Sequence, residues 1–294
     1  MNGALLVDKP AGVTSHDVVA IVRRALTQQG GPTRPAVGHT GTLDPFATGL
    51  LVVLVGKATR LARFLDGSAK EYEATIRLGQ GSDTDDATGT LGSRVEGGRC
   101  SEAEVRKALA GLVGTQMQMP PAFSAKKIDG ERAYARARKG EEVVLKAVEV
   151  TIHSAELLRY EWPDAEVRVV VSTGTYIRSL ARDLGARLGT AAHCAALRRT
   201  RIGRFEVAGA QSLESIQSAG AQGRSGAALI PMAEVVGHLP TQELDAGEVA
   251  FIKNGRKVAT EHEGGPIALL HQGELLAIAE VAEGMAQPVV VLVE

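Results

Sequence analysis

The run LLVVLVG at residues 50–56, six consecutive apolar side chains closed by a glycine, sets the tightest limit on how this 294-residue chain folds. It has to be buried. It fits a fully buried strand or a short buried helix, and its β-branched valines favour the strand. In KEYEATIRLG, residues 70–79, Tyr72, Ala74, Ile76 and Leu78 alternate with Glu71, Glu73, Thr75 and Arg77. A period of two is that of a half-buried strand, with Tyr72 on its inner side. Helical spacing appears on both sides of these segments. Ser15 precedes Val18, Val19, Val22 and Leu26 as the cap of an amphipathic helix. Ser101 and Glu104, in SEAEVRKALAGLVG, stand at capping-box spacing. AEVRVVVSTGTYIRSLARDLGARLG reads as a strand, a tight turn at Gly174, and a helix with Ile177, Leu180, Ala181, Leu184 and Leu188 on its apolar face.

Between these elements, QQGGPTRPAVG (28–38) and the polar stretch 79–100 read as loops, and ERAYARARKGEE as a short, exposed basic helix. Residues 210–236 are poor in large apolar side chains and read as linker-like. Beyond them, short apolar runs separated by NG, GG and EG turns predict a small all-β module. Charge divides along the same line. Residues 1–204 carry 29 Lys and Arg against 22 Asp and Glu, whereas residues 205–294 carry 4 against 12. An anionic partner therefore meets the first two thirds of the chain. The two cysteines, Cys100 and Cys194, stand far apart without metal-like pairing, which points to a reducing compartment and small core residues. No stretch of about 18 apolar residues occurs, and a soluble cytoplasmic protein is expected.

The segment GHTGTLDPFATG (38–49) sets a puzzle. Its glycines suit a phosphate cradle, yet the carboxylate of Asp44 at its centre would repel an anion, and the GK[ST] ending of a P-loop is missing. Together with DKPAGVTSHDVV upstream and KEYEATIRLG, PPAFSAKKIDGERAY and STGTYIRSLARDLG downstream, it resembles the TruB family of transfer-RNA pseudouridine synthases. The matches run in the family's order across residues 5–204. FIKNGRKV and ELLAIAE further on resemble the PUA modules that follow the catalytic domain in that family.

The resemblance implies an α/β (α+β) fold: a catalytic domain over residues 1–235 on a mixed, largely antiparallel sheet flanked by helices, with an RNA-binding excursion at about 124–150. A PUA-like RNA-binding domain would occupy residues 236–294. The implied reaction is isomerisation of uridine 55 in the T-loop of tRNA to pseudouridine, on a flipped-out nucleotide, without cofactor or metal. The implied partner is the tRNA T-stem-loop, with no membrane and no obligatory protein partner, and the protein is expected to be a monomer.

Residue by residue, the resemblance places the nucleophile at Asp44. The carboxylate could attack C1′, add to C6 or deprotonate C2′, and the sequence leaves these routes open. Arg178 in TYIR would pair with it and keep it charged. Tyr72 would stack on the base and relay a proton, Leu197 would pack near the base, and His39 would fill the space beside the extruded nucleotide. Basic clusters would grip phosphate: Lys126 and Lys127; Arg132, Arg136, Arg138 and Lys139; and Arg198, Arg199, Arg201 and Arg204. Arg182 and Arg187 read as solvated helix arginines, and Lys9 as structural. A non-catalytic RNA-binding protein is one alternative. A glycoside hydrolase is another, but it needs a second convergent carboxylate, and none has comparable local support.

Overall fold

The computed structural model describes residues 1–27, 34–65, 67–95, 99–121, 146–222 and 229–293, and the backbone of 127–128 and 131–132. The first elements are β1 (Gly3–Lys9), α1 (Ser15–Thr27), β2 (Val37–Thr40), β3 (Thr48–Val55), α2 (Ala62–Leu65), β4 (Lys70–Leu78), α3 (Glu102–Ala110) and β5 (Gly114–Gln118). There follow β6 (Lys127–Ile128), β7 (Glu131–Arg132), β8 (Val148–Glu161), β9 (Asp164–Val171), α4 (Ile177–Arg187), β10 (Ala192–Ile202) and β11 (Phe205–Glu206). The last are β12 (Gln211–Ser212), α5 (Leu213–Ala221), α6 (Met232–Val235), β13 (Thr241–Glu243), α7 (Ala246–Lys253), β14 (Val258–Ala259), β15 (Ile267–His271), β16 (Glu274–Ala282) and β17 (Met285–Val291). They form two compact units, one of residues 1–43, 51–66 and 209–294, the other of residues 44–50 and 67–208.

In the first unit, β1 lies beside β3, β12 pairs parallel to β1 and β2 antiparallel to β3. Helix α1 supplies Val18, Val19, Val22 and Leu26 to a core shared with Leu5, Val7, Leu51 and Val53. Each such side chain contributes about 1.5–3 kcal/mol, which outweighs the roughly 1 kcal/mol of a helix cap. That cap is Thr14 and not Ser15: Thr14 and Asp17 exchange hydrogen bonds of 2.8 and 3.0 Å. Ser15 is buried and bonds elsewhere.

Residues 213–221, expected to be linker-like, form α5. Ser212 caps it, Leu213 and Ile216 enter the same core, and Gly220 meets α1 so closely that a Cβ would lie 2.7 Å from that of Ala25. Small residues were here the mark of tight helix packing. The C-terminal segment forms a five-stranded sheet, in the order β13-β15-β16-β17-β14, around Leu244, Ile267, Leu269 and Leu276. It also carries a helix that the all-β expectation lacked, α7, with a capping box of Asp245 and Glu248.

In the second unit the sheet runs from the first residues of β3 through β10, β4, β9 and β8 to β5. Only the β3–β10 pairing is parallel among these, so the sheet is mixed and largely antiparallel, as expected. The alternation of β4 holds throughout: Tyr72, Ala74, Ile76 and Leu78 are all buried. Strand β3 approaches β10 at Gly49, whose φ is +100° and where a Cβ would run into the Arg199 carbonyl oxygen. Any other residue there is excluded twice over. Helix α3 has the expected Ser101–Glu104 box and packs on β8, while α4 packs on β10. The expected basic helix at 131–142 lies outside the described residues except for Glu131 and Arg132, which are strand.

Candidate active site

Asp44 follows a residue that is anchored at both backbone groups. The Ser15 hydroxyl donates to the Leu43 carbonyl at 3.0 Å and accepts from the Leu43 N–H at 2.9 Å. Three residues on, the Ala47 N–H donates to the Asp44 carbonyl at 3.1 Å. Leu43 and Ala47 are buried, whereas the Asp44 side chain stays 36% exposed. The turn thus fixes its apolar residues and leaves the carboxylate facing outward.

Arg178, in the first turn of α4, binds that carboxylate with two nitrogens: Nε is 2.9 Å from Oδ2 and Nη2 is 3.3 Å from Oδ1. The arginine side chain is 5% exposed, and a buried cation needs more than one half-exposed partner. Asp86, equally buried, supplies the second charge at 3.3 Å from Nη1, and the Thr84 carbonyl accepts from Nη1 at 3.0 Å. The two oxygens of Asp86 divide the work. Oδ2 faces the guanidinium, while Oδ1 accepts from the Thr84 hydroxyl and from the Thr88 N–H and hydroxyl at 2.6–2.9 Å.

One turn further along α4, Arg182 pairs with Asp85 at 2.9 Å and donates to the Met119 carbonyl at 2.9 Å, so it is not the solvated arginine expected. Burial raises the Asp85 carboxyl above its ordinary value, against the pull of Arg182 and then Arg178. Cys194 lies in the same neighbourhood. Burial, and after it the charge of Asp86, pushes its thiol far up, so it is an inert core thiol, as expected. Cys100 is only half-buried.

Tyr72 stands directly opposite Arg199 in the β4–β10 register, and the Arg199 guanidinium lies 6.0 Å from the ring centroid. Arg199 is 1% exposed and donates from Nε to the Leu50 carbonyl at 2.8 Å. This departs from the phosphate-gripping place expected of it. Strand alternation is the reason, because it turns Leu197 and Arg199 inward and leaves Arg198 half-buried, 3.5 Å from the Thr48 hydroxyl. Arg201 bonds Glu71, and Arg204 is exposed. Four arginines within seven residues of sequence are therefore not one patch.

His39 lies in β2 opposite Val53 and is half-buried. Lys127 and Arg132 pair through their backbones across β6 and β7, while Lys126, Arg136, Arg138 and Lys139 lie outside the described residues. Lys9 is fully buried, its ammonium donating to the Pro10 and Val13 carbonyls, in keeping with a structural role. Among the described residues, no group of three or more His, Cys, Asp or Glu is placed to hold a metal ion, and no helix is long and apolar enough to cross a membrane.

Sequence reasoning missed Asp86. Nothing in SDTDDATG separates it from Asp83 and Asp85 except the Thr88 two residues later, which becomes its hydrogen-bond donor. Chemically, the arrangement offers one half-exposed carboxylate, paired from below by a buried guanidinium, as a nucleophile or base toward a group presented from solvent.

The family model described as TruB family pseudouridylate synthase, N-terminal domain, matches residues 24–177, and that of the tRNA pseudouridylate synthase B C-terminal domain matches residues 178–236. A protein from Thermobifida fusca named tRNA pseudouridine synthase B is 47% identical, over 99% of this chain and 98% of its own. One of the same name from Leifsonia xyli is 45% identical, over 95% and 92%. Among solved structures, an H/ACA RNP bound to a substrate RNA containing 2′-deoxyuridine has a chain that superposes with a TM-score of 0.75 at 25% identity, covering 99% of this chain and 85% of that one. With a matched family model over more than half its length and such relatives end to end, the chain belongs to the TruB family of pseudouridylate synthases.

Proposed function

We propose that the protein isomerises uridine 55 in the T-loop of tRNA to pseudouridine, with Asp44 as the catalytic carboxylate. The observation that carries the reading is the bidentate Asp44–Arg178 pair, half-exposed on the carboxylate side and buried on the guanidinium side. The relatives' name supports tRNA as the substrate. In the reaction the N1–C1′ bond breaks and a C5–C1′ bond forms, C5 gives its proton to solvent and N1 gains one, so no outside reactant is consumed.

Asp44, held near the sugar, serves attack at C1′, addition at C6 or deprotonation at C2′. Tyr72 offers its ring face to the flipped base and its hydroxyl as a proton relay, with Leu197 beside the base and His39 against the RNA. Arg198, Lys126, Lys127, Arg132 and Arg136 bear on phosphate, while Arg199 backs the tyrosine. Residues 236–294 act as a PUA-like RNA-binding domain beside a catalytic domain of residues 1–235. The enzyme works in the cytoplasm as a monomer, without cofactor.

The test is to map pseudouridine in tRNA after incubation with purified wild-type protein and with Asp44→Asn. Conversion at position 55 by the wild type alone supports the proposal. Conversion elsewhere, or by both proteins, overturns it.

A further inference from the structure

Arg178 sits at the second position of a helix that lacks a side-chain cap: Tyr176 precedes α4 and makes no capping hydrogen bond. A frayed helix start would let Arg178 swing. What holds it is a side chain from a strand nearly sixty residues earlier. Gln118, the last residue of β5, is 1% exposed. Its Nε2 donates to the Tyr176 carbonyl at 3.1 Å, and its Oε1 accepts from the Tyr176 N–H at 2.8 Å. One amide thus grips both backbone groups of one residue, as a neighbouring strand would.

The next residue continues the clamp. The Met119 carbonyl accepts from the Ser179 hydroxyl at 2.8 Å and from Arg182 Nη2 at 2.9 Å. Four hydrogen bonds therefore fasten the end of β5 to the first six residues of α4 and its N-cap. A buried amide with both ends used is costly to place and strongly specifies geometry. Its payoff lies at Arg178, two residues beyond the gripped Tyr176, whose guanidinium must meet Asp44 at 2.9 Å and Asp86 at 3.3 Å together.

We propose that Gln118 is a positioning residue for catalysis: by holding the Tyr176 backbone, it sets where the Arg178 guanidinium meets Asp44. The inference rests on the roles of Asp44 and Arg178 proposed above. Gln118 touches neither of them and acts through the helix start.

The test uses the full chain with Gln118→Met, which keeps the volume and removes both bonds, and Gln118→Glu, which keeps the acceptor and loses the donor. Single-turnover conversion of a saturating T-stem-loop RNA is timed beside RNA affinity, and the Arg178 Nε–H resonance is followed by NMR. A helix start displaced by about 1 Å slows conversion on the order of tenfold to a hundredfold in the Met variant, with the Glu variant between it and wild type. RNA affinity stays within about twofold, because phosphate and stacking contacts are untouched. The Nε–H signal, protected from solvent exchange in the wild type, loses protection in the Met variant.

Wild-type conversion rates with an unaltered Nε–H signal overturn the proposal, and so does a rate that falls only in step with RNA affinity. If the Met variant does not fold, the Glu variant carries the same comparison. A wild type that converts no uridine counts against the proposed reaction instead, and the NMR readout then decides the role of Gln118.

Discussion

Asp44 and Asp86 grip one guanidinium, yet replacing them should have opposite consequences. In Asp86→Asn the shape is kept and the amide oxygen can still accept from Thr84 and Thr88, but a neutral NH₂ donor now faces the Nη1 donor of Arg178 at 3.3 Å. At that separation and an effective dielectric of about 20, one pair of charges is worth roughly 5 kcal/mol. Removing one partner of a buried pair typically costs about 3–5 kcal/mol. For a protein of this size that lowers the thermal midpoint by roughly 5–8 °C. In Asp44→Asn the lost carboxylate was 36% exposed and Asp86 still neutralises the arginine, so the loss is nearer 1 kcal/mol, while conversion disappears. Thermal and urea unfolding of the two variants, with pseudouridine formation measured on the same preparations, provide the comparison. Equal stability losses, or an Asp86→Asn protein melting within about 2 °C of wild type, would refute the assignment of Asp86 as the structural counter-charge.

Arg178→Lys keeps the charge but cannot reproduce the two-nitrogen grip on Asp44 while also reaching Asp86, so single-turnover conversion should fall by about a hundredfold or more. Recovery of most activity would mean that charge alone matters. Tyr72→Phe keeps the ring beside Arg199 and removes the hydroxyl: slow conversion with intact RNA affinity identifies a proton relay, and near-normal conversion leaves stacking as its role. Glu71 gives a pH signature. Burial raises its carboxyl, but hydrogen bonds from Thr200 and Arg201, at 2.8 and 3.2 Å, bring it below the ordinary value of 4.5. Its contribution is complete above that range and is lost as pH falls through the folded-state value. The stability gap between wild type and Glu71→Gln, read by urea unfolding, should therefore be present at neutral pH and shrink below pH 4.5.

The period-two pattern of β4 and the Ser101–Glu104 box were legible because each is a local pattern with one stable solution, and the apolar run of β3 because its β-branched valines favour strand over buried helix. So was the Asp44–Arg178 pair, although only through resemblance; nothing in the sequence brings residues 134 positions apart together. Asp86 and Gln118 were hidden because a buried polar group looks like any surface polar group until its donors are placed around it. The burial of Arg199 is hidden for the converse reason: among clustered arginines, strand alternation in β10 decides which one turns inward. Helix α5 has the composition of a linker, being poor in large apolar side chains. Gly220 against Ala25 shows that its small residues permit a close approach.

The pairing of β1 with β12, Val7 to Gln211, and the packing of α1 on α5 fix an order of events on the ribosome. Residues 44–50 and 67–208 lie within one stretch of about 165 residues, so that unit can close as soon as its last strands emerge. The first 43 residues cannot finish theirs until residue 209 onward is made, a wait of roughly 8–33 s at about 5–20 residues per second. For that interval Val18, Val19, Val22 and Leu26 have no α5 to cover them. The earliest part of the chain to be synthesised waits longest for its native partners, and it is there that chaperones and proteases have their longest access to the newborn enzyme.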